Sequence, residues 1–160
     1  MPARPRRHRH ELALRAFALT YPETQEDFPW GHRALKVRGK IFAVMGKDEP
    51  ALSLSVKLPF SAEGALQLPF CEPTHYGLGR SGWVTATFAP RAAVPLDVLR
   101  SWIDESYRAV APKRLVRGLA ARAGARLASS ATRAAKRLFG RVAARPPAAR
   151  SRARASAPSP

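Results

Sequence analysis

Three cationic side chains and one indole are spaced in this sequence so that they could contact nucleic-acid phosphates and bases. Lys36, Arg38 and Lys57 take alternating positions in strand-like segments, and Trp83 begins another such segment. Lysine and arginine bond phosphate oxygens, whereas an aromatic ring stacks on the face of a base. The pattern predicts a phosphate-binding sheet face, although ordinary solvated faces of antiparallel sheets carry similar residues.

A second set of cations follows towards the C-terminus. The formal net charge is +17, all 11 acidic residues lie within 1–119, and 120–160 carry 10 of the 28 lysines and arginines. This balance favours anionic partners, DNA first and acidic membrane surfaces second. The DNA-binding residues predicted here are Lys113, Arg114, Arg117, Arg122, Arg126, Arg133, Lys136 and Arg137. A bias of composition towards Ala, Arg and Pro explains such a tail equally well.

Residues that could support catalysis are few and scattered. Trp30 and His32, in an aromatic turn, form a candidate ligand corner. The favoured alternative is that Trp30 fills the end of the core and His32 bonds a loop carbonyl, because large aromatic residues usually serve packing. Cys71 and His75 have a C-x₃-H spacing, but no second pair completes a zinc site. The sequence contains no G-x-S-x-G motif and no dinucleotide fingerprint. We therefore assign no catalytic residue, no metal site and no cofactor.

The lone cysteine and the hydropathy pattern indicate the compartment. Cys71 cannot form an intramolecular disulfide, which fits a reducing cytoplasm. No apolar run approaches the roughly 20 residues that a membrane span needs. We expect a cytoplasmic protein.

The elements that would position these residues follow from periodicity. Leu12, Ala16 and Leu19 recur at helical spacing and predict an amphipathic first helix. Gly39-Lys40 predicts a two-residue hairpin turn that places Val37 opposite Phe42. That register places these apolar residues on one face of the sheet: Leu35, Val37, Phe42 and Val44.

Two further strands and a helix complete the domain. Residues 51–58 and 83–88 alternate apolar and polar side chains, and Pro95 to Val110 form the strongest helical pattern. The helix is predicted to bury Leu99 and Ile103, with Asp104 and Arg108 paired on its outer side. The sequence predicts an α+β fold, a two-layer sandwich in which the N- and C-terminal helices cover one face of an antiparallel sheet.

The predicted boundaries divide the chain into three parts. Residues 1–8 are expected to form a disordered basic arm, and 9–119 the domain. Residues 120–160 are expected to form an Ala/Arg-rich basic tail, helix-prone to about 139 and then disordered. A helical pattern starts at Lys113, and we expect neither 113–139 nor 141–160 to pack tightly on the core. The other face of the sheet would be open, presenting Lys36, Arg38, Ser53, Ser55, Lys57, Trp83, Thr85 and Thr87.

Several separated segments resemble the MmcQ/YjbR family. They are PETQEDFPWGH, KVRGKIFAVM, SLSVKL, the pair Gly82-Trp83, and PLDVLRSWIDESYRAVAPKRL, in the same order over about residues 9–119. The resemblance implies a CyaY-like α+β fold, described as a double-wing DNA-binding architecture, in small bacterial cytoplasmic proteins. The tail exceeds the family pattern, so the resemblance implies nothing about it.

Three hypotheses follow. The first is a sequence-tolerant, non-enzymatic DNA-binding protein, and the second a protein-interaction module with an incidental basic tail. The third is an uncharacterised enzyme that uses the Trp30–His32 corner. The CyaY-like fold also suggests comparison with frataxin, which holds iron on an acidic first helix. Here Glu11 is the single acid in that helix, which disfavours iron binding.

Overall fold

A computed structural model describes residues 8–46, 50–119, 133, 134, 136 and 137. The described elements are α1 (Arg9–Ala18), β1 (Thr24–Asp27), β2 (Arg33–Val37), β3 (Lys40–Met45), β4 (Leu52–Lys57), α2 (Ala62–Ala65), β5 (Cys71–Pro73), a 3₁₀ helix (Leu78–Ser81), β6 (Trp83–Phe88), α3 (Leu96–Val110) and α4 (Lys113–Gly118).

The six strands form one antiparallel sheet in the order β1-β2-β3-β4-β6-β5. Helix α3 packs across β3 and β4, and α1 packs beside α3. The core between the two layers includes Leu35, Leu54, Val84, Leu99 and Ile103, all buried. The predicted two-layer α+β sandwich is confirmed. None of the described helices has the length and apolar composition needed to cross a membrane.

The turn between β2 and β3 differs from the predicted one. Arg38 and Gly39, not Gly39 and Lys40, are its central residues, with φ values of 50° and 81°, and Val37 pairs with Lys40. Positive φ at both positions is the type I′ geometry, whose twist matches that of the strands. The predicted turn was therefore displaced by one residue, and the predicted pairing next to it was wrong by two residues.

A β-bulge restores the buried face of β3 beyond this turn. Leu35 pairs with Ala43 and Lys36 with Ile41, so Phe42 is the extra residue. Phe42 remains fully buried as predicted, but Val44 lies on the other face, opposite Ser55. The prediction that Val44 belongs to the helix-covered face was wrong, because pairing at the turn and at the bulge decides which side each residue takes.

The hydroxyl of Ser106 joins β3 and β4 where their direct pairing stops. Ser106 lies on α3 and is fully buried. Its Oγ accepts a hydrogen bond from the backbone N–H of Lys57 at 2.8 Å and donates one to the carbonyl of Phe42. The described ladder between the strands ends one pair earlier, at Ala43 and Val56. A helix side chain thus satisfies the two backbone groups at the end of the ladder.

The buried side of α1 was predicted incorrectly. Glu11, Leu14 and Ala18 are buried, whereas Leu12 is 54% exposed and Ala16 is exposed. Glu11 is buried because its carboxylate accepts a hydrogen bond from the Arg33 guanidinium at 3.0 Å, and both side chains are only 2% exposed. An apolar periodicity cannot detect a buried helix side that includes a paired carboxylate.

The Asp104–Arg108 ion pair forms, at 2.7 Å, but Asp104 does not lie on the outside. It is 7% exposed and accepts a hydrogen bond from the Tyr21 hydroxyl at 2.6 Å. Burial and this bond raise the pKa of Tyr21 above its ordinary value. Tyr21 thereby attaches the segment before β1 to α3.

The sheet face away from α1 and α3 is not open at its centre. Ser53, Ser55 and Thr85 are 1%, 8% and 5% exposed. The Ser55 and Thr85 hydroxyls bond each other at 2.8 Å, and Thr85 also bonds Thr74 at 2.9 Å. The prediction of an uncovered hydroxyl face was therefore wrong at these three positions.

The segment beyond α3 also differs from expectation. Helix α4 ends at Gly118, and Leu119 is extended, so the helical pattern that starts at Lys113 is interrupted there. Leu115 is buried in the core and Ala134 packs against it, so the expectation that 113–139 avoids the core was wrong for these residues. Residues 1–7 of the predicted arm lie outside the described residues. So does the predicted tail, apart from residues 133, 134, 136 and 137.

Candidate nucleic-acid interface

Most of the predicted DNA-binding residues that the structure describes lie at one end of the sheet. We call this the hairpin end: it is where β2 turns into β3, β4 ends and β6 begins. Seven of the predicted residues are there or in the adjoining α4: Lys36, Arg38, Lys57, Trp83, Lys113, Arg114 and Arg117. They divide into two groups, one on the sheet face away from α3 and one at the edge formed by the turn and α4.

Lys36, Lys57 and Trp83 form the face group. Lys36 lies between the buried residues Leu35 and Val37, so alternation places it on the side away from α3. Lys57 follows the buried Val56 and pairs with Trp83 across the strands, which places both on that same side. Lys36 and Lys57 therefore share a face, as the sequence predicted, although each is only partly exposed.

One member of the face group is already paired. The Lys36 ammonium donates a hydrogen bond to the Asp27 carboxylate on β1. This bond lowers the pKa of Asp27 below its ordinary value. A phosphate group would therefore compete with Asp27 for Lys36, which weakens the face group as an anion site.

The second group is a cationic edge, which we define as Arg38, Lys40, Lys113, Arg114 and Arg117. All five side chains are exposed. Glu23 connects its two halves: Arg114 Nη2 lies 3.0 Å from each Glu23 carboxylate oxygen, and Arg38 Nε lies 3.6 Å from Oε2. The turn and α4 therefore meet at Glu23. Among the described residues, Glu23 is the carboxylate that contacts the cationic edge. The five cations of the edge therefore outnumber the carboxylates there.

Hydrogen bonds to the residues on either side of Glu23 hold its backbone at this point. The Tyr107 hydroxyl on α3 donates to the carbonyl of Pro22 at 2.8 Å, and Thr24 Oγ1 donates to the carbonyl of Tyr21 at 2.8 Å. Glu23 between them has φ 55°, a left-handed conformation that is unfavourable for a residue with a side chain. The surrounding bonds offset this strain and direct the carboxylate towards the two arginines.

The predicted tail cations are described only in part. Arg133, Lys136 and Arg137 are helical and exposed. Arg122 and Arg126 lie outside the described residues, so their assignment to DNA binding stays a prediction.

The candidate Trp30–His32 corner lies at the opposite end of the sheet from the hairpin turn, in the connection between β1 and β2. Trp30 is 68% exposed and His32 is half-buried. The interpretation that Trp30 fills the end of the core is therefore wrong, and a role in ligand binding stays a prediction. The structure does not bring this corner together with the cationic edge.

Cys71 and His75 do not belong to a metal-binding cluster among the residues that the structure describes. Among the described residues, no group of three or more His, Cys, Asp or Glu side chains could hold a metal ion. Cys71 is partly buried, and burial raises the pKa of its thiol to about 12. His75 instead lies beside Glu72, with Nε2 3.5 Å from Oε1.

Two residues of this site were not among the predicted ones. They are Lys40, a member of the cationic edge, and Glu23, the carboxylate at which the turn and α4 meet. The arginine-glycine pair at 38–39 is the signal that could have identified the type I′ turn, since glycine commonly takes its second central position. No sequence signal indicates that Glu23 meets Arg114, which is 91 residues away.

The chain is similar to a family model and to a solved structure. Residues 19–109 match the model of the YjbR family. The solved structure of the Deinococcus radiodurans protein DR2400, with family-model domain DUF419, is similar at a TM-score of 0.53 and 26% sequence identity, and the match covers 72% of this chain and 85% of that one. The comparison with curated proteins found no match.

Proposed function

This chain belongs to the YjbR family, and we propose that it is a non-enzymatic DNA-binding protein that contacts the phosphate backbone with little dependence on base sequence. The observation that carries the proposal is the cationic edge, five exposed lysines and arginines on the β2–β3 hairpin and α4, of which Arg38 and Arg114 meet at Glu23. Clustered cations neutralise phosphates and release counterions, which supplies most of non-specific DNA affinity.

The arrangement of the edge suits phosphate better than a small neutral ligand. Arg114 already holds a carboxylate with both oxygens at 3.0 Å, and a phosphate presents a similar pair of acceptor oxygens. Glu23 is 38% exposed at its side chain, so it can be displaced without opening the core. The exposed tail cations Arg133, Lys136 and Arg137 would add further phosphate contacts.

Substitutions of the two partners of the Glu23–Arg114 ion pair test this proposal, because they should have opposite effects on DNA affinity. Affinity for a fluorescein-labelled duplex of about 20 base pairs is measured by anisotropy over a range of salt concentrations. We expect Arg114→Gln to weaken binding and to reduce the slope of log K against log salt by about 0.9, one phosphate contact. Glu23→Gln should strengthen binding, because it removes the carboxylate that competes with phosphate.

Arg91→Gln is the matched control, since Arg91 is exposed and follows β6 at the far end of the sheet from the hairpin turn. It changes the net charge as Arg114→Gln does and should change affinity less. Equal losses from Arg91→Gln and Arg114→Gln would show that only the overall charge matters. Absence of binding by the unsubstituted chain at low salt would refute the proposed function itself.

A further inference from the structure

Two aromatic side chains at the hairpin end are almost completely exposed. Phe60 is 89% exposed and Tyr76 is 93% exposed. They have no part in the core, where Phe42 and Tyr107 are fully buried. Exposed large apolar groups close together commonly mark an interaction site.

The two rings project from neighbouring connections of the same end of the sheet. Past the end of β4, the N–H of Leu58 donates to the carbonyl of Gly82 at 2.8 Å. Past the end of β5, the N–H of Thr74 donates to the carbonyl of Trp83 at 3.0 Å. These bonds extend the sheet to the bases of both loops. Since β6 lies between β4 and β5, the loops start about 10 Å apart, two inter-strand spacings.

The backbone around each ring is fixed by specific contacts. The Glu105 carboxylate on α3 accepts hydrogen bonds from the N–H groups of Phe60 and Ser61 at 2.8 and 3.0 Å. Tyr76 has φ 61° in a turn closed by a bond from the N–H of Leu78 to the carbonyl of His75 at 3.3 Å. A bulky residue at positive φ is strained, and such strain is concentrated at functional sites. Both rings are thus presented on ordered backbone.

Cations lie on either side of the rings. Arg80 is exposed in the 3₁₀ helix that separates the Tyr76 turn from β6, and Lys57 ends β4 three residues before Phe60. The Glu105 carboxylate, which accepts from the N–H of Phe60, is occupied by the hydrogen bonds of that loop. An exposed carboxylate, Glu72, lies beside His75. The cationic edge lies at the same end, beyond β3.

From this juxtaposition we propose that the hairpin end binds single-stranded nucleic acid, with bases stacked on Phe60 and Tyr76 and phosphates contacting Arg80, Lys57 and the cationic edge. The inference rests on the proposed phosphate-binding function and adds that the bound nucleic acid is single-stranded. Base faces are available to a ring only where the strand is unpaired, because a duplex stacks them on one another. Exposed rings in segments that also carry cations therefore favour a single strand.

The test compares the full-length chain with variants on a labelled oligothymidylate and on a duplex of equal length. Phe60→Ala and Tyr76→Ala should each weaken single-strand binding by roughly 5-fold to 150-fold, the range for loss of one stacked base. The loss should persist as salt is raised, because stacking releases no counterions. Duplex affinity should change by less than about 2-fold. Phe60→Leu keeps an apolar side chain but has no ring, so it should lose most of the single-strand affinity that Phe60→Ala loses.

Leu12→Ala is the control for an exposed apolar group, since Leu12 lies on α1 and is 54% exposed. It should leave both affinities unchanged. If the unsubstituted chain binds both nucleic acids but the ring variants match it, the stacking inference fails while the proposed function stands. If ring substitution instead changes the oligomeric state in light scattering, the rings form a protein interface, and the inference is overturned. No binding of either nucleic acid at low salt would refute both proposals.

Discussion

Replacing Ser106 by alanine removes a hydroxyl group that joins two strands at the base of the candidate interface. The change leaves the N–H of Lys57 and the carbonyl of Phe42 without their partner in a fully buried place. A buried backbone group that loses its hydrogen bond costs about 1–3 kcal/mol. Two such groups would cost about 2–6 kcal/mol. Part of this cost would be recovered if the strands moved together until the N–H and the carbonyl bonded each other directly. We therefore expect Ser106→Ala to reduce the free energy of unfolding by about 2–4 kcal/mol.

The assay is urea unfolding followed by circular dichroism, together with a thermal melt. For a domain of this size, a loss of about 3 kcal/mol lowers Tm by roughly 10 °C or more. Ser101→Ala is the matched control on the same helix, because its hydroxyl donates only to the carbonyl of Val98, three residues earlier. That variant should change stability by less than about 0.5 kcal/mol.

A loss below about 1 kcal/mol for Ser106→Ala would refute the reasoning, because it would mean that the strands pair well without the serine. The same variant should also weaken DNA binding at the hairpin end, since Ser106 holds the backbone of Lys57. If the folded variant binds DNA as tightly as the unsubstituted chain, Ser106 stabilises the fold but does not contribute to the candidate interface.

Three other predictions concern the remaining titratable and buried groups. Arg33→Met should destabilise the fold by about 3–5 kcal/mol in urea unfolding, because it leaves Glu11 buried and unpaired, and adding Glu11→Leu should recover most of the loss. A hydrogen bond from Arg15, followed by one from Arg33, holds the folded-state pKa of Glu26 below its unfolded value. Its stabilisation is therefore complete above the unfolded pKa of about 4.3 and is lost as pH falls through the lower folded value. Glu26→Gln should flatten the fall of Tm between about pH 5 and pH 3, and an unchanged fall would contradict this assignment. Burial raises the pKa of the Cys71 thiol to about 12. Iodoacetamide at about pH 8 should therefore label the native chain at least a hundredfold more slowly than the urea-unfolded chain. Equal labelling rates would contradict the raised pKa.

The strands and the main helix could be predicted because their patterns are local. Alternation along β4 identified Leu54 and Val56 as core residues, and helical spacing identified Leu99 and Ile103. The short polar strand β1 was missed, because Thr24–Asp27 has no apolar alternation and is a strand only through its pairing with β2. A segment whose structure depends on its neighbour leaves no periodic signal of its own.

The candidate interface was predicted only as a set of residues. The sequence identified Lys36, Arg38 and Lys57 as cations on strand-like segments, and the two lysines do share a face. It could not indicate that Lys36 is paired with Asp27 or that Arg38 and Arg114 meet at Glu23. It also did not single out Phe60 and Tyr76, because an aromatic residue in a loop has the same local pattern whether it is buried or exposed.

The amino-acid sequence by itself determined the α+β class, the apolar faces of the central strands, the strong positive charge and the family resemblance. Each of these depends on residue types or on spacing within one element. Only the tertiary structure decided the bulge at Phe42, the burial of Glu11 and the exposure of the two rings. The physical reason is that these features arise from contacts between elements, where pairing register and hydrogen-bond partners outweigh local preference.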